Sequence, residues 1–365
     1  MATSVTLTLY LPRKTLIIMS DGEFEVRENS LLLGYNGLYQ VEKFLGEGTF
    51  GKVAKCREVA TNQEVAIKIL KSKYKDAGRD EIQCIDWFRY KSHICIAFEI
   101  LDKSLDDFMS DRDDRPLDLH EIRTIAWQLL IALQGLKNIN LVHGDIKLDN
   151  IMLVNQVSEP FRVKLIDFGL AQKTSHIQTG SRMQNLLFRA PEVMLGLPLD
   201  ERLDMWTVGY VLAMLYAGIY IHPQDSEYNI IRALVKIGER VEEHLDYFSF
   251  DDLRDVYYDM TKRDEVEQFI DLLKRMLEVD PNKRISPSEA FEHPFFTMKS
   301  VQPSAGSEEP KPEDCFKQQE FIVNQLTVEE FEARVKKPGF VPTESFQLLG
   351  CLSSGVNFLT SIEGF

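Results

Sequence analysis

The stretch Leu141-Val142-His143-Gly144-Asp145-Ile146-Lys147-Leu148-Asp149-Asn150 decides how this chain is read, together with the apolar run Ile151-Met152-Leu153-Val154 and then Lys164-Leu165-Ile166-Asp167-Phe168-Gly169. The carboxylates of Asp145 and Asp167, the amide of Asn150 and the ammonium of Lys147 are set between short apolar strands. Such a donor set suits Mg²⁺, which takes hard oxygen ligands from one or two carboxylates and completes its shell with substrate phosphates. Asp-Phe-Gly alone is an ordinary turn. Its conjunction with His-x-Asp-x-Lys-x-x-Asn and, further on, with Ala190-Pro191-Glu192 is not what chance produces.

Upstream, Leu45-Gly46-Glu47-Gly48-Thr49-Phe50-Gly51-Lys52-Val53 lies between two predicted strands. Missing side chains there let backbone N–H groups approach phosphate oxygens. A glycine-rich turn is often no more than a turn, and the same spacing occurs in dinucleotide-binding folds, where a helix follows. Here a strand follows, which disfavours that alternative. Val65-Ala66-Ile67-Lys68 then places one lysine in an apolar strand. An interior ammonium needs an anionic partner, whereas one at a strand edge can snorkel to water.

Working outward, 39–44, 53–58, 64–70, 82–90 and 94–100 are β-branched or aromatic runs separated by turn residues, which predicts an antiparallel sheet. From Ser104 onward the period becomes helical, as in 119–136 and 266–277. The stretch 300–314, rich in Pro, Ser, Glu and Lys, reads as a linker, and 327–335 as a short amphipathic segment. Near the start, 7–19 is apolar but broken by Pro12, Arg13 and Lys14, so it reads as an extra strand or a loose arm. The full 365 residues are 44% apolar and 27% charged, enough for a sizeable core. With 42 basic against 57 acidic residues, the charge of −15 is the wrong sign for tracking a nucleic-acid backbone. Neither nucleic acid nor a membrane is expected as a direct ligand. Five scattered cysteines, Cys56, Cys84, Cys95, Cys315 and Cys351, suggest neither a zinc site nor a disulfide framework, and a reducing compartment fits them.

Taken in order, these strings resemble the eukaryotic protein kinase family over 39–298, with Asp204-Met205-Trp206-Thr207-Val208-Gly209 and, after Asp280-Pro281, Arg284 completing the set. The wording of Phe44 to Gly51, of Arg162 to Gly169 and of Arg189-Ala190-Pro191-Glu192-Val193-Met194-Leu195-Gly196-Leu197-Pro198 is most similar to the homeodomain-interacting protein kinase branch, near the dual-specificity tyrosine-regulated kinases. The resemblance implies an α+β, two-lobed protein kinase fold. A small antiparallel β lobe would span about 39–100 and a larger α-helical lobe about 101–298, with an N-terminal arm (1–38) and a linker and C-terminal tail (299–365) of no readable role.

By that resemblance ATP and Mg²⁺ are the cofactors. Asp145 would accept the proton of the attacking hydroxyl, Lys147 would steady the γ-phosphate, and Asn150 and Asp167 would ligate Mg²⁺. Lys68 would hold the α- and β-phosphates, beneath the loop formed by Leu45, Gly46, Glu47, Gly48, Thr49, Phe50, Gly51, Lys52 and Val53. Adenine would lie between Leu45, Val53 and Ala66 on one side and Leu153 on the other, bonded to the backbone of Glu99 and Leu101, with Phe98 at the gate and Asp107 near the ribose. A lysine two residues after the catalytic aspartate implies protein substrates bearing serine or threonine. The branch implies transcription regulators as partners and a nuclear or cytoplasmic location. His143, Phe168, Trp206 and Arg284 would brace the core and the catalytic loop.

Three departures stand against the pattern. Lys71 to Ile82 offers only about a dozen residues for two loops and a helix rising about 1.5 Å per residue, so a normal C-helix and its lysine-pairing glutamate do not fit. Arg182 stands where the branch has a phosphorylatable tyrosine, and Leu186 where it has an arginine that sets proline-directed specificity. Gly144 replaces the arginine that receives an activation-loop phosphate, so regulation by loop phosphorylation is disfavoured. The sequence therefore supports a Ser/Thr kinase, with weak turnover allowed, or a nucleotide-binding pseudokinase acting as a scaffold. A non-kinase enzyme of another fold is the remaining alternative.

Overall fold

The computed structural model describes residues 26–48, 51–71, 84–91, 93–223, 225–236, 250–255 and 263–297. The expectations for 7–19, for the interval after Lys71, for 300–314 and for 327–335 lie outside the described residues. Two compact units are present, one ending at Glu99 and one made chiefly of the chain from Ile100 onward.

The first unit is a six-stranded antiparallel sheet of β1 (Leu31–Leu33), β2 (Leu38–Glu47), β3 (Gly51–Glu58), β4 (Glu64–Leu70), β5 (Asp86–Tyr90) and β6 (His93–Glu99), ordered β1-β2-β3-β4-β6-β5. Alternation places side chains on opposite faces. Val65, Ile67 and Ile69 of β4 are buried on one face, while Ala66 and Lys68, half-buried, take the other. The first face joins Val41, Ala54, Cys56, Phe88, Cys95 and Ala97 in the unit's core.

The sheet starts upstream of Tyr39, because β1 pairs with β2 through Leu32 and Tyr39. A buried carboxylate fastens this end. Asp86 Oδ2 accepts the Asn36 N–H at 2.9 Å and the Tyr39 hydroxyl at 3.0 Å, so that β5, at one edge of the sheet, holds the β1–β2 turn at the other. Tyr39 stacks on Phe88 with ring centroids 5.8 Å apart. Only glycine fits at Gly34, where a Cβ would stand 2.2 Å from Asp86 Oδ2. The strand expected over 82–90 begins only at Asp86, whose side chain is committed inward to this latch.

The second unit is mainly helical. Its helices are α1 (Leu105–Ser110), α2 (Leu119–Asn138), α3 (Pro191–Met194), α4 (Arg202–Ala217), α5 (Glu227–Lys236), α6 (Phe250–Asp255), α7 (Arg263–Met276), α8 (Pro287–Phe291) and α9 (Pro294–Thr297). Its short strands are β7 (Leu141–Val142), β8 (Ile151–Asn155), β9 (Glu159–Leu165) and β10 (Gln172–Lys173). α2 starts at a capping box in which Asp118 and Glu121 satisfy orphan N–H groups, and its stripe Ile122, Ile125, Ala126, Leu129, Leu130 and Leu133 faces the core. α4 is buried on nearly every side and forms the centre of the unit.

Two polar devices set the frame for the catalytic string. Gln128 of α2 accepts from Val163 N–H at 3.0 Å and donates to Phe161 O at 2.8 Å, which fixes the β8–β9 hairpin on the helix. Arg284 makes a buried bidentate pair with Glu192, at 2.6 and 2.9 Å, and lies 5.2 Å from the Trp206 ring centroid. Both Arg284 and Trp206 thus have the bracing roles expected of them.

Candidate active site

In the sheet unit, strand register places the residues. Gly46 stands opposite Val53, Glu47 opposite Lys52, Val53 opposite Lys68 and Ala66 opposite Phe98. The glycine-rich turn is closed by Gly48 N–H on Gly51 O at 2.8 Å, and its tip, Thr49 and Phe50, lies outside the described residues. The β2–β3 register shifts between Val41 and Lys43 and again between Phe44 and Gly46, the second where the strand approaches the turn. Glu47 is drawn between Lys71, at 3.3 Å, and Lys52, at 3.6 Å, which together hold its carboxyl below the usual range. Leu45 is about half exposed, at 49%. Glu99, at the end of β6, is exposed.

In the helical unit, hydrogen bonds rather than register do the placing. β7 delivers His143 and Gly144, whose N–H groups donate to the two oxygens of buried Asp204 at 2.7 and 3.0 Å. Gly144 adopts φ +74°, a conformation glycine takes without strain. His143 Nε2 donates to Ile166 O at 3.0 Å, and Nδ1 accepts the Asp145 N–H at 3.2 Å. That pairing requires the neutral tautomer carrying its proton on Nε2. Burial accordingly pushes the His143 pKa down to about 4. Burial also raises Asp204 to about 7, against the two N–H donors that favour its charge.

Asp145 follows directly. Asn150 Nδ2 donates to its main-chain oxygen at 2.8 Å and to its Oδ2 at 3.1 Å, closing the loop on itself. Burial raises the Asp145 pKa, with Lys147 and Asn150 opposing that rise and Asp167 and Asp149 adding to it. The result is a carboxylate more basic than an ordinary aspartate yet still offset by a neighbouring cation. Lys147 Nζ lies 3.7 Å from Asp149.

Asp167 takes a left-handed backbone, φ 58°, while its Oδ1 accepts the Gly169 N–H at 3.2 Å. Because Asn150 turns its NH₂ toward Asp145, its Oδ1 is the atom left to face a cation. Among the described residues no group of three or more His, Cys, Asp or Glu side chains could hold a metal ion alone. One amide oxygen and one carboxylate are instead the modest protein supply that suits Mg²⁺ held through substrate phosphates.

The other residues of this unit that the sequence analysis assigned to the nucleotide are Leu101, Asp107 and Leu153. Leu153 is fully buried, accepts Asp102 N–H at 3.0 Å and donates to Lys103 O at 2.8 Å, so β8 pins the chain just past Leu101. Asp107 has a structural role at the start of α1, where it forms a capping box with Ser104, its Oδ2 accepting the Ser104 hydroxyl at 2.6 Å. The Ser104-x-x-Asp107 spacing carries that signal in the sequence. Two further residues, Asp204 and Gln184, hold the catalytic loop without any role that sequence reasoning assigns them. Gln184 N–H donates to Gly144 O at 2.9 Å, which ties the segment before Ala190-Pro191-Glu192 to the catalytic loop. The one sequence signal for Asp204 is its place at the head of the Asp204-Met205-Trp206 string.

Comparison with known proteins agrees with the string of motifs. The protein kinase domain model matches residues 80–296, a span that leaves the glycine-rich turn and Lys68 outside. Homeodomain-interacting protein kinase 2 of Mesocricetus auratus is 33% identical over 350 residues, covering 76% of this chain and 30% of that protein. Homeodomain-interacting protein kinase 1 of Caenorhabditis elegans is 32% identical over 378 residues, 82% of this chain and 45% of that one. Homeodomain-interacting protein kinase 4 of Homo sapiens is 30% identical over 345 residues, 72% and 56% respectively. The chain therefore spans roughly a third to a little over half the length of these curated relatives.

Proposed function

Because the chain belongs to the protein kinase domain family, we propose that it transfers the γ-phosphate of ATP to serine or threonine hydroxyls of protein substrates. The observation that carries this reading is Asp145, a carboxylate raised in basicity by burial and held through His143 and Asn150, with Lys147 two residues on. The acceptor oxygen forms a bond to the γ-phosphorus, the bond from that phosphorus to the β–γ bridging oxygen breaks, and ADP leaves. Asp145 takes the hydroxyl proton. Lys147 balances charge on the moving phosphoryl group, and Lys68 is assigned the α- and β-phosphates. When bound, Mg²⁺ neutralises phosphate charge, and Asn150 Oδ1 and Asp167 are the residues that would hold it.

The test is phosphate transfer from ATP to a generic basic protein, comparing the native chain with Asp145→Asn. A loss of about 10²- to 10⁴-fold is expected for removal of the base. Equal residual signal from the two proteins would remove the enzyme reading.

A second reading, an ATP-binding pseudokinase acting as a scaffold or competitor, is favoured by one observation. β4 ends at Leu70 and β5 begins at Asp86, a short interval for the helix that supplies a lysine-pairing glutamate. Under that reading nucleotide stabilises the fold without transfer. The relatives' names mention homeodomain interaction, which supports transcription regulators as the partner class; a nuclear or cytoplasmic location is part of the proposal.

A further inference from the structure

The segment that leads into Ala190-Pro191-Glu192 is fastened by a clasp that none of the kinase motifs describes. Its centre is Arg189. The guanidinium uses three donors in three directions: Nε to Met183 O at 3.0 Å, Nη2 to Gln184 O at 2.9 Å, and Nη1 to the carboxylate of Glu227 at the start of α5. A planar fork with fixed donor directions can hold three acceptors in this way, and a lysine cannot. Arg189 is only 15% exposed at its side chain, so the charge-assisted bond to Glu227 is partly desolvated.

What Arg189 holds is strained. Gln184 has φ +66°, a conformation that costs a non-glycine residue energy and persists only when its surroundings over-determine it. Here they do. Its side chain donates to Leu203 O at 2.9 Å and to the Thr207 hydroxyl at 3.2 Å, and accepts Ala190 N–H at 2.8 Å. Its main-chain N–H donates to Gly144 O, one residue before Asp145. Met183, 5% exposed, fills the space beside Gly144, where a Cβ would stand 2.6 Å from Met183 Cε. An arginine at position 144, ready to receive a phosphate, would have to displace it.

We propose that Glu227 is a positioning residue for catalysis: it aims Arg189, which holds Met183 and Gln184 against Gly144 and so sets Asp145 without any phosphate on the segment. The segment carries hydroxyls at Thr174, Ser175, Thr179 and Ser181, and none of them takes part in the clasp. The catalytic half of the proposal rests on the kinase reading. The structural half does not.

The experiment compares the full chain with Glu227→Ala and Glu227→Gln by two readouts. Amide hydrogen exchange at Gln184 and Ala190 reports the clasp whether or not the protein transfers phosphate. Faster exchange is expected in Glu227→Ala, with a smaller rise in Glu227→Gln, whose amide oxygen still accepts from Arg189. Steady-state kinetics are expected to show kcat reduced about 10- to 100-fold in Glu227→Ala with KM for ATP nearly unchanged, the mark of misplacement rather than lost binding. Phosphatase treatment of the native chain is expected to leave kcat where it was. Unchanged exchange in Glu227→Ala overturns the clasp, and so does a phosphatase-treated native chain that falls to the variant's kcat. A native chain with no transfer but with the expected exchange pattern sinks the kinase reading alone. Should Glu227→Ala fail to fold, Glu227→Gln and Arg189→Lys carry the same exchange comparison.

Discussion

The two units place their functional side chains by different physical means. In the sheet unit Val53, Ala66 and Lys68 are positioned by strand register, and the base of the glycine-rich turn that joins β2 to β3 carries the backbone hydrogen bond from Gly48 N–H to Gly51 O. In the helical unit the loop that carries Asp145 is held by buried polar contacts from chain distant in sequence, Asp204 on the N–H groups of His143 and Gly144 and the Gln184 N–H on Gly144 O. Asp145 itself is held by its near neighbours His143 and Asn150. The difference teaches where rigidity lies. A carboxylate that accepts a proton needs its position fixed before substrate arrives, whereas a loop that wraps phosphates can be shaped by them.

Perturbing each unit separately should therefore give unlike results. The largest effect on stability is expected at Arg284→Ala, which leaves Glu192 buried and unpaired. Breaking such a pair costs about 3–5 kcal/mol, read as a drop in unfolding free energy by urea titration. Lys68→Met, in the sheet unit, is expected to reduce phosphotransfer about 10²- to 10³-fold, the scale of losing one charged stabiliser, while Tm stays where it was. A matching collapse of Tm would mean that register alone does not hold that strand.

The pair of groups around Gly144 sharpens the contrast through pH. His143 has its pKa lowered to about 4 from 6.5, so its contribution to stability is present above about 6.5 and is lost as pH falls toward 4. Asp204 has its pKa raised to about 7 from 3.8, so its contribution is full below about 3.8 and is lost as pH rises through 7. The two slopes oppose each other. Relative to the native chain, His143→Phe is expected to gain up to about 3 kcal/mol of stability between pH 6.5 and 4, whatever its baseline, and Asp204→Asn to show the reverse slope. Parallel curves for all three proteins would contradict this assignment.

Smaller effects come next. Gly144→Ala forces a Cβ into a left-handed backbone, worth about 1–2 kcal/mol, and also displaces Met183, so unfolding measurements should show at least that loss. Glu47→Gln, on the exposed turn with its partners Lys52 and Lys71, is expected to leave Tm unchanged, because ion pairs at an exposed surface contribute little.

Much of this was legible in the sequence where chemistry is local. The alternation of β4 and the stripes of α2 and α7 showed their faces, and Asp145, Lys147, Asn150 and Asp167 were singled out by spacing. What escaped depends on contacts that no local pattern encodes. β1 is three leucines without alternation, held by its pairing with β2, by buried Leu32 and by Asp86, which lies fifty residues from its partner Asn36. Asp107, assigned by resemblance to the ribose, also caps α1 through Ser104, a contact that the Ser104-x-x-Asp107 spacing signals. Glu227 meets Arg189 across thirty-eight residues, so nothing in either neighbourhood signals the other.

The central claim is that this chain takes up a nucleoside triphosphate with a divalent metal. Titration calorimetry on folded full-length protein tests it most directly. The account predicts ATP uptake that strengthens with Mg²⁺ and loses that dependence in Asp167→Asn. No heat of binding at any magnesium concentration, from protein shown to be folded, would contradict it.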